Sequence, residues 1–154
     1  MDIRNLIRED LITLDLKARD KQAAIRELAG LLEKCGLITN EEEFLQDVLK
    51  RESITTTGIG YGIAIPHAKS KAVKKSAVVF GRSKHGIEWE SLDGQPVDMV
   101  FLIATPAEQK ENEHLKVLSL LSRKLIYEEF RQRLRESKTI QEILEILNTV
   151  VEGD

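Results

Sequence analysis

Apolar positions change period along the chain, and the changes mark out elements. Leu11, Ile12, Leu14 and Leu16 alternate closely enough to predict a short strand. Asp20 then caps a predicted helix whose apolar face holds Ala24, Ile25, Leu28, Leu31 and Leu32, with Gly36 as its stop. Thr39 and Glu42 have the spacing of a capping box ahead of a second helix carrying Phe44, Leu45, Val48 and Leu49. From Thr55 to Ile65 the chain is rich in Thr, Ile and Gly, which predicts extended structure with turns. Ser76 to Arg82 and Val97 to Thr105 are β-type runs, and Val100 to Ala104 is apolar enough for a central strand. Between them, Ser83 to Gly86 predicts a turn, a short strand surrounds Trp89, and Leu92 to Pro96 predicts a second turn. The last third returns to helical spacing. Glu113 to Leu125 aligns Leu115, Leu118, Leu121 and Leu125 as a core face, Tyr127 to Glu136 continues, and Thr139 with Glu142 caps a final helix. Helices before and after a block of strands predict an α/β sandwich with a mixed sheet.

Composition narrows the class. The chain has 154 residues, enough for one domain with a sizeable core, and no linker or repeat divides it. A net charge of -3 removes the basic excess that nucleic acid or an anionic membrane would attract. A single cysteine, Cys35, excludes an internal disulfide and a Cys-rich zinc site, which fits a reducing, cytoplasmic setting. The first ten residues alternate charged and apolar positions, unlike a signal peptide, and no apolar run approaches the ~20 residues of a membrane span.

The chemistry concentrates between Lys50 and Lys69. Gly58, Gly60 and Gly62 predict a bulged or tightly turning strand. They do not complete a nucleotide-binding fingerprint, because Pro66 sits where the following helix would run. Pro66 restricts Ile65 to extended backbone and is expected to stop the strand, so that His67 emerges at its end on a stiff mount. A partly neutral imidazole there can act as a nucleophile near neutral pH, although a histidine after a proline is more often an ordinary surface residue.

Glu52, a six-residue gap, and the run Ile59-Gly60-Tyr61-Gly62-Ile63-Ala64-Ile65-Pro66-His67-Ala68 resemble the active-site signature of the fructose/mannitol-type (type 2) enzyme IIA family of the sugar phosphotransferase system. Gln95 to Ile103 looks like that family's central strand. Pro106 to Gln109, followed by His114 to Leu121, looks like the loop and helix that complete its site. Ala68 replaces the glycine often found after the active histidine. The resemblance runs from about Leu6 to Leu147 and implies a single IIA type-2 domain over residues 1–154. It implies a three-layer sandwich, a mixed β-sheet flanked by helices. It also implies a phosphotransferase component in which His67 takes a phosphoryl group from the phosphocarrier HPr and passes it to an enzyme IIB. No cofactor and no metal is implied, and membrane insertion is left to a partner. The length fits a separately encoded IIA.

The resemblance extends to supporting residues. Arg51 matches the family's arginine, whose fork can bind phosphoryl oxygens or orient a neighbour. His114 matches its second histidine, near a predicted helix N-terminus where an anion is favoured. Glu52 either fixes Arg51 or accepts from His67 to hold its tautomer, or is a helix-end acid without a role. Thr56 and Thr57 are open between phosphate donors and plain strand formers. Lys69, Lys71, Lys74 and Lys75 are open between a solvated loop and charge that helps docking, and Ile59, Tyr61 and Ile63 are candidate apolar rim. His85 reads as surface and Trp89 as partial core. Three function classes compete. The first is sugar uptake of fructose or mannitol type. The second is a nitrogen-related regulatory IIA whose phosphorylation state controls partners. The third is a hydrolase or metal enzyme on His67, Glu52 and His114, for which no third convincing ligand exists.

Overall fold

The computed structural model describes residues 5–109 and 113–150, without the side chains of Glu113 and His114. A one-turn 3-10 helix (Glu9–Leu11) runs into β1 (Ile12–Thr13). Helix α1 (Lys21–Lys34) starts where the Asp20 side chain accepts from the Ala23 N–H at 2.8 Å. Helix α2 (Glu41–Ile54) starts one residue later than the capping-box spacing predicts. Asn40 is its cap, accepting from the Glu43 N–H at 3.0 Å, and the Thr39 hydroxyl instead donates to the Ala72 carbonyl. Strands β2 (Gly58–Gly60), β3 (Ile63–Ala64), β4 (His67–Ser70), β5 (Ala77–Ile87) and β6 (Val97–Pro106) follow. Helices α3 (Glu113–Leu125), α4 (Glu128–Glu136) and α5 (Ile140–Leu147) complete the chain. The α5 cap is as its spacing predicts, with the Thr139 hydroxyl accepting from the Glu142 N–H.

The sheet is mixed, in the order β1-β5-β6-β3-β2, with β4 also on β6. β5 and β6 are antiparallel, while β3 and β4 lie parallel to β6 along the same edge. Side chains alternate between the two faces of these strands, which fill two cores. Ala77, Val79, Val100, Leu102 and Ala104 pack with α1 and α2 residues such as Ile25, Leu28, Phe44 and Leu45. Val78, Phe80, Met99, Phe101 and Ile103 pack with Leu121, Phe130, Leu134 and Ile143 of α3, α4 and α5. The result is the three-layer α/β sandwich expected.

Two local predictions are corrected. Ser83 to Gly86 is not a turn between strands. It lies inside β5, which absorbs it as a shift of register between Arg82 and Ile87. The segment around Trp89 forms no strand of its own: an isolated bridge pairs Glu88 with Asp20, and Trp89 is fully buried rather than partial core.

Candidate functional site

Local backbone rules account for the mount of His67. Gly60, Tyr61 and Gly62 all have positive φ, so the chain reverses tightly between β2 and β3. Arg135 of α4 holds this reversal. Its guanidinium donates to both oxygens of Asp98, at 2.8 and 3.0 Å, and to the Tyr61 carbonyl, while the Asp98 N–H donates to the Gly62 carbonyl. The Tyr61 ring lies 4.1 Å from the Arg131 guanidinium. Beyond β3, Pro66 interrupts the strand without ending it, contrary to expectation. Proline lacks only a donor. The Pro66 carbonyl still accepts from the Ile103 N–H at 3.0 Å, and β4 resumes at His67, which pairs with Ile103.

His67 is half-buried, with Nδ1 2.9 Å from the Ile65 carbonyl oxygen. A carbonyl only accepts, so in the neutral ring Nδ1 carries the proton and Nε2 carries the lone pair. Burial pushes the imidazole below its ordinary pKa; the Ile65 carbonyl opposes this, Arg51 adds to it, and Glu52 opposes it more weakly. The net effect favours the neutral ring over the imidazolium.

His67 lines a cleft of about 560 Å³ together with Asp47, Lys50, Arg51, Ile54, Ala68, Lys69, Leu115 and Leu118. Arg51 belongs to it as expected, and donates from Nη1 to the Thr55 carbonyl at 3.0 Å. The cleft's apolar rim differs from the predicted one. Ile63 is buried in the core and Tyr61 is taken up by α4; Ile54 and Leu115, 75% and 50% exposed, stand at the cleft instead. Leu115 is therefore not core: the buried face of α3 is Val117, Leu120, Leu121 and Leu125. Of the predicted basic run Lys69 lines the cleft, and Lys50 joins it from α2. Sequence reading missed Asp47, Lys50 and Ile54, yet a signal was present. With Arg51 they stand at helical spacing i, i+3, i+4 and i+7, one face of α2. His114 falls in the first turn of α3, and its side chain lies outside the described residues.

Glu52 does neither of the two jobs foreseen for it. Its buried carboxylate accepts from the Thr57 hydroxyl at 2.5 Å, from the Thr57 N–H at 2.8 Å and from Lys21 at 3.3 Å. The tautomer-holding acceptor is the Ile65 carbonyl. Thr57 is accordingly occupied inside the protein, and Thr56 donates to the Trp89 carbonyl at 3.1 Å. His85 is exposed at the surface as read.

Residues 5–150 match the family model described as "Phosphoenolpyruvate-dependent sugar phosphotransferase system, EIIA 2". The PTS system fructose-specific EIIABC component of Bacillus subtilis (strain 168) is 43% identical over 148 residues, 96% of this chain but 23% of that protein. This chain thus spans under a quarter of that relative's length. The PTS system fructose-specific EIIA component of Haloferax volcanii is 39% identical, covering 98% of this chain and 97% of that protein. Among solved structures, the nitrogen regulatory protein IIA-Ntr of Neisseria meningitidis superposes with a TM-score of 0.87 at 30% identity, covering 94% of this chain and 98% of that one. Enzyme IIAMTL of Escherichia coli, solved in complex with phosphorylated enzyme IIBMTL, gives a TM-score of 0.79 at 32% identity, over 93% and 97%.

Proposed function

This chain belongs to the EIIA 2 family of phosphotransferase components, and from that premise we propose that His67 is a phosphoryl relay between HPr and an enzyme IIB in fructose- or mannitol-type sugar uptake. The observation that carries the proposal is the seating of His67. The Nδ1–H on the Ile65 carbonyl leaves the Nε2 lone pair as nucleophile, in a cleft that also holds Lys50, Arg51 and Lys69. Phosphoryl transfer asks mainly for alignment and for stabilisation of charge on the equatorial oxygens, and such a cleft supplies both. In the forward step the Nε2 electron pair forms a P–N bond to phosphorus. The bond from phosphorus to HPr breaks, and its electron pair returns to HPr. The second step reverses the roles, with the IIB acceptor attacking and His67 leaving as neutral imidazole. Arg51, which lines the cleft, and His114, in the first turn of α3, would stabilise the phosphoryl oxygens in this reading. The complex of a relative with a phosphorylated IIB supports an enzyme IIB as one of the partners.

The relay works in the cytoplasm, where phosphoenolpyruvate is made. Among the described residues no helix is long and apolar enough to cross a membrane.

Incubation with phosphoenolpyruvate, enzyme I and HPr is expected to add the mass of one phosphoryl group, stable to base and labile to acid. His67→Ala is expected to add none. Equal labelling of that variant sinks the assignment.

A second reading has its own support in the TM-score of 0.87 to a nitrogen regulatory IIA. There the phosphorylation state of His67 would set the binding of a regulated protein instead of feeding a sugar. Transfer from the phosphorylated protein to a sugar-specific IIB, with consumption of a hexose or hexitol, decides for uptake. Failure with every IIB tested, together with retention of a kinase or transporter by one phosphorylation state, decides for regulation.

A further inference from the structure

The cleft gives the proposed phosphoryl group its place, but does not account for what holds the Ile65 backbone in position for His67. Both backbone polar groups of Ile65, on either side of its Cα, are fastened. Its carbonyl accepts from His67 Nδ1 at 2.9 Å, and the Ile65 N–H donates to the Thr57 carbonyl at 3.0 Å. Thr57 is itself fastened on every polar atom. Its hydroxyl donates to Glu52 Oε1 at 2.5 Å and accepts from Trp89 Nε1 at 3.3 Å, and its N–H donates to Glu52 Oε2 at 2.8 Å. The surroundings are dry: Thr57 is buried, Trp89 is fully buried and the Glu52 side chain is 4% exposed. Lys21 closes the set, 3.3 Å from Glu52 Oε2 and with its ammonium 5.8 Å from the centre of the Trp89 ring.

We propose that Thr57 and Glu52 are positioning residues for His67: through the Thr57–Ile65 peptide contact they fix the carbonyl that keeps the proton on Nδ1. The proposal rests on His67 being the phosphoryl acceptor. A hydroxyl between a carboxylate that only accepts and an indole N–H that only donates has one orientation, so Thr57 cannot rotate to another partner without orphaning one of them. Fully satisfied buried networks of this kind rigidify what they touch. The reaction needs that rigidity. A carbonyl displaced from Nδ1 would let the proton move to Nε2, and the ring would present N–H where the lone pair must be.

The test uses the whole protein with Thr57→Val, which keeps the shape and the Thr57 N–H but removes the hydroxyl, and with Thr57→Ser as the conservative variant. Imidazole ¹⁵N shifts report the tautomer of His67, assigned by loss of its signals in His67→Ala. Initial rates of phosphoryl uptake from phosphorylated HPr report function. The wild type is expected in the Nδ1–H form. Thr57→Val is expected to mix the two tautomers and to lower the maximal rate roughly ten-fold, with KM for phosphorylated HPr little changed. Thr57→Ser is expected to restore both. A pure Nδ1–H tautomer and an unaltered maximal rate in folded Thr57→Val overturn the proposal. Where Thr57→Val does not fold, Glu52→Gln is read in its place: it removes one acceptor at equal size, and an unmixed tautomer at wild-type rate overturns the proposal equally. If the wild type takes up no phosphoryl group, the relay function falls, while the ¹⁵N tautomer still decides whether Thr57 positions His67.

Discussion

On one flank of the Ile65–Pro66–His67 segment, the carboxylate of Glu52, the hydroxyl of Thr57 and the indole N–H of Trp89 are buried and satisfy one another. On the other flank Ile54 and Leu115 stand exposed around a cleft bearing Lys50, Arg51 and Lys69. Both flanks draw on the last turns of α2. Arg51 reaches the cleft and Glu52, the next residue, enters the closed network, because adjacent helical positions point about 100° apart. The difference teaches a division of labour. Alignment of the imidazole needs a dry, saturated network, where movement leaves a polar atom unpaired. The proposed exchange of a phosphoryl group between proteins would need a surface open to each partner in turn, and the apolar groups exposed at the cleft suit that use. Substitutions on the closed flank should therefore reduce stability and activity together, and those on the open flank activity alone.

The largest effect is expected on the closed flank. Glu52→Ala leaves Lys21 and both donors of Thr57 without their acceptor, and should lower stability by about 3 kcal/mol. Denaturant unfolding checks it; a loss within error would mean that the network is not under load. Next comes Gly62→Ala at the clamped reversal. Gly62 has φ +78, and an added Cβ would lie 2.6 Å from both Arg135 Nη2 and Asp98 Oδ1. The expected cost is about 2 kcal/mol, read as a fall in the thermal midpoint.

Smaller effects belong to the open flank. Arg51→Lys keeps the charge but loses the planar fork, and should slow phosphoryl uptake roughly ten-fold with an unchanged unfolding curve. A variant that unfolds earlier at full activity would erase the contrast between the flanks. Leu115→Ala should change stability by less than about 0.5 kcal/mol while raising KM for phosphorylated HPr.

The smallest effect is a pH dependence. The folded protein depresses the pKa of His67, chiefly by burial. Below the ordinary imidazole value of about 6.5, the unfolded chain binds a proton that the folded chain refuses. Stability should therefore fall as the pH drops through that value and level off below the folded pKa. His67→Gln should flatten this part of the curve. The rate of phosphoryl uptake should hold its plateau below the ordinary imidazole value, and a midpoint above it would contradict the neutral, buried ring.

Much of the fold was legible because periodicity and capping are local. The Asp20 and Thr139 caps, the apolar run of β6 and the helical ending all follow from spacing within a few residues. The boundary error at Thr39 arose because its hydroxyl donates to the Ala72 carbonyl, a contact from another part of the chain, and the cap falls to Asn40. The strand break at Pro66 was misjudged for a related reason: the sequence reveals the missing donor, but the carbonyl's partner, Ile103, is brought by another strand.

The sequence by itself determined the succession of helical and strand segments along the chain, the stiff Ile65–Pro66–His67 mount and the family, since each depends on residue identities at fixed spacing. Only the tertiary structure decided which side chains meet. It placed Ile54 and Leu115 beside His67, Tyr61 on Arg131, and Glu52 under Thr57 instead of against the imidazole. Most of those contacts join residues far apart in the chain, and the nearer pair, Glu52 and Thr57, is closed over by Trp89. Their energy depends on burial and hydrogen-bond geometry that exist once the sheet and its two helical layers have closed.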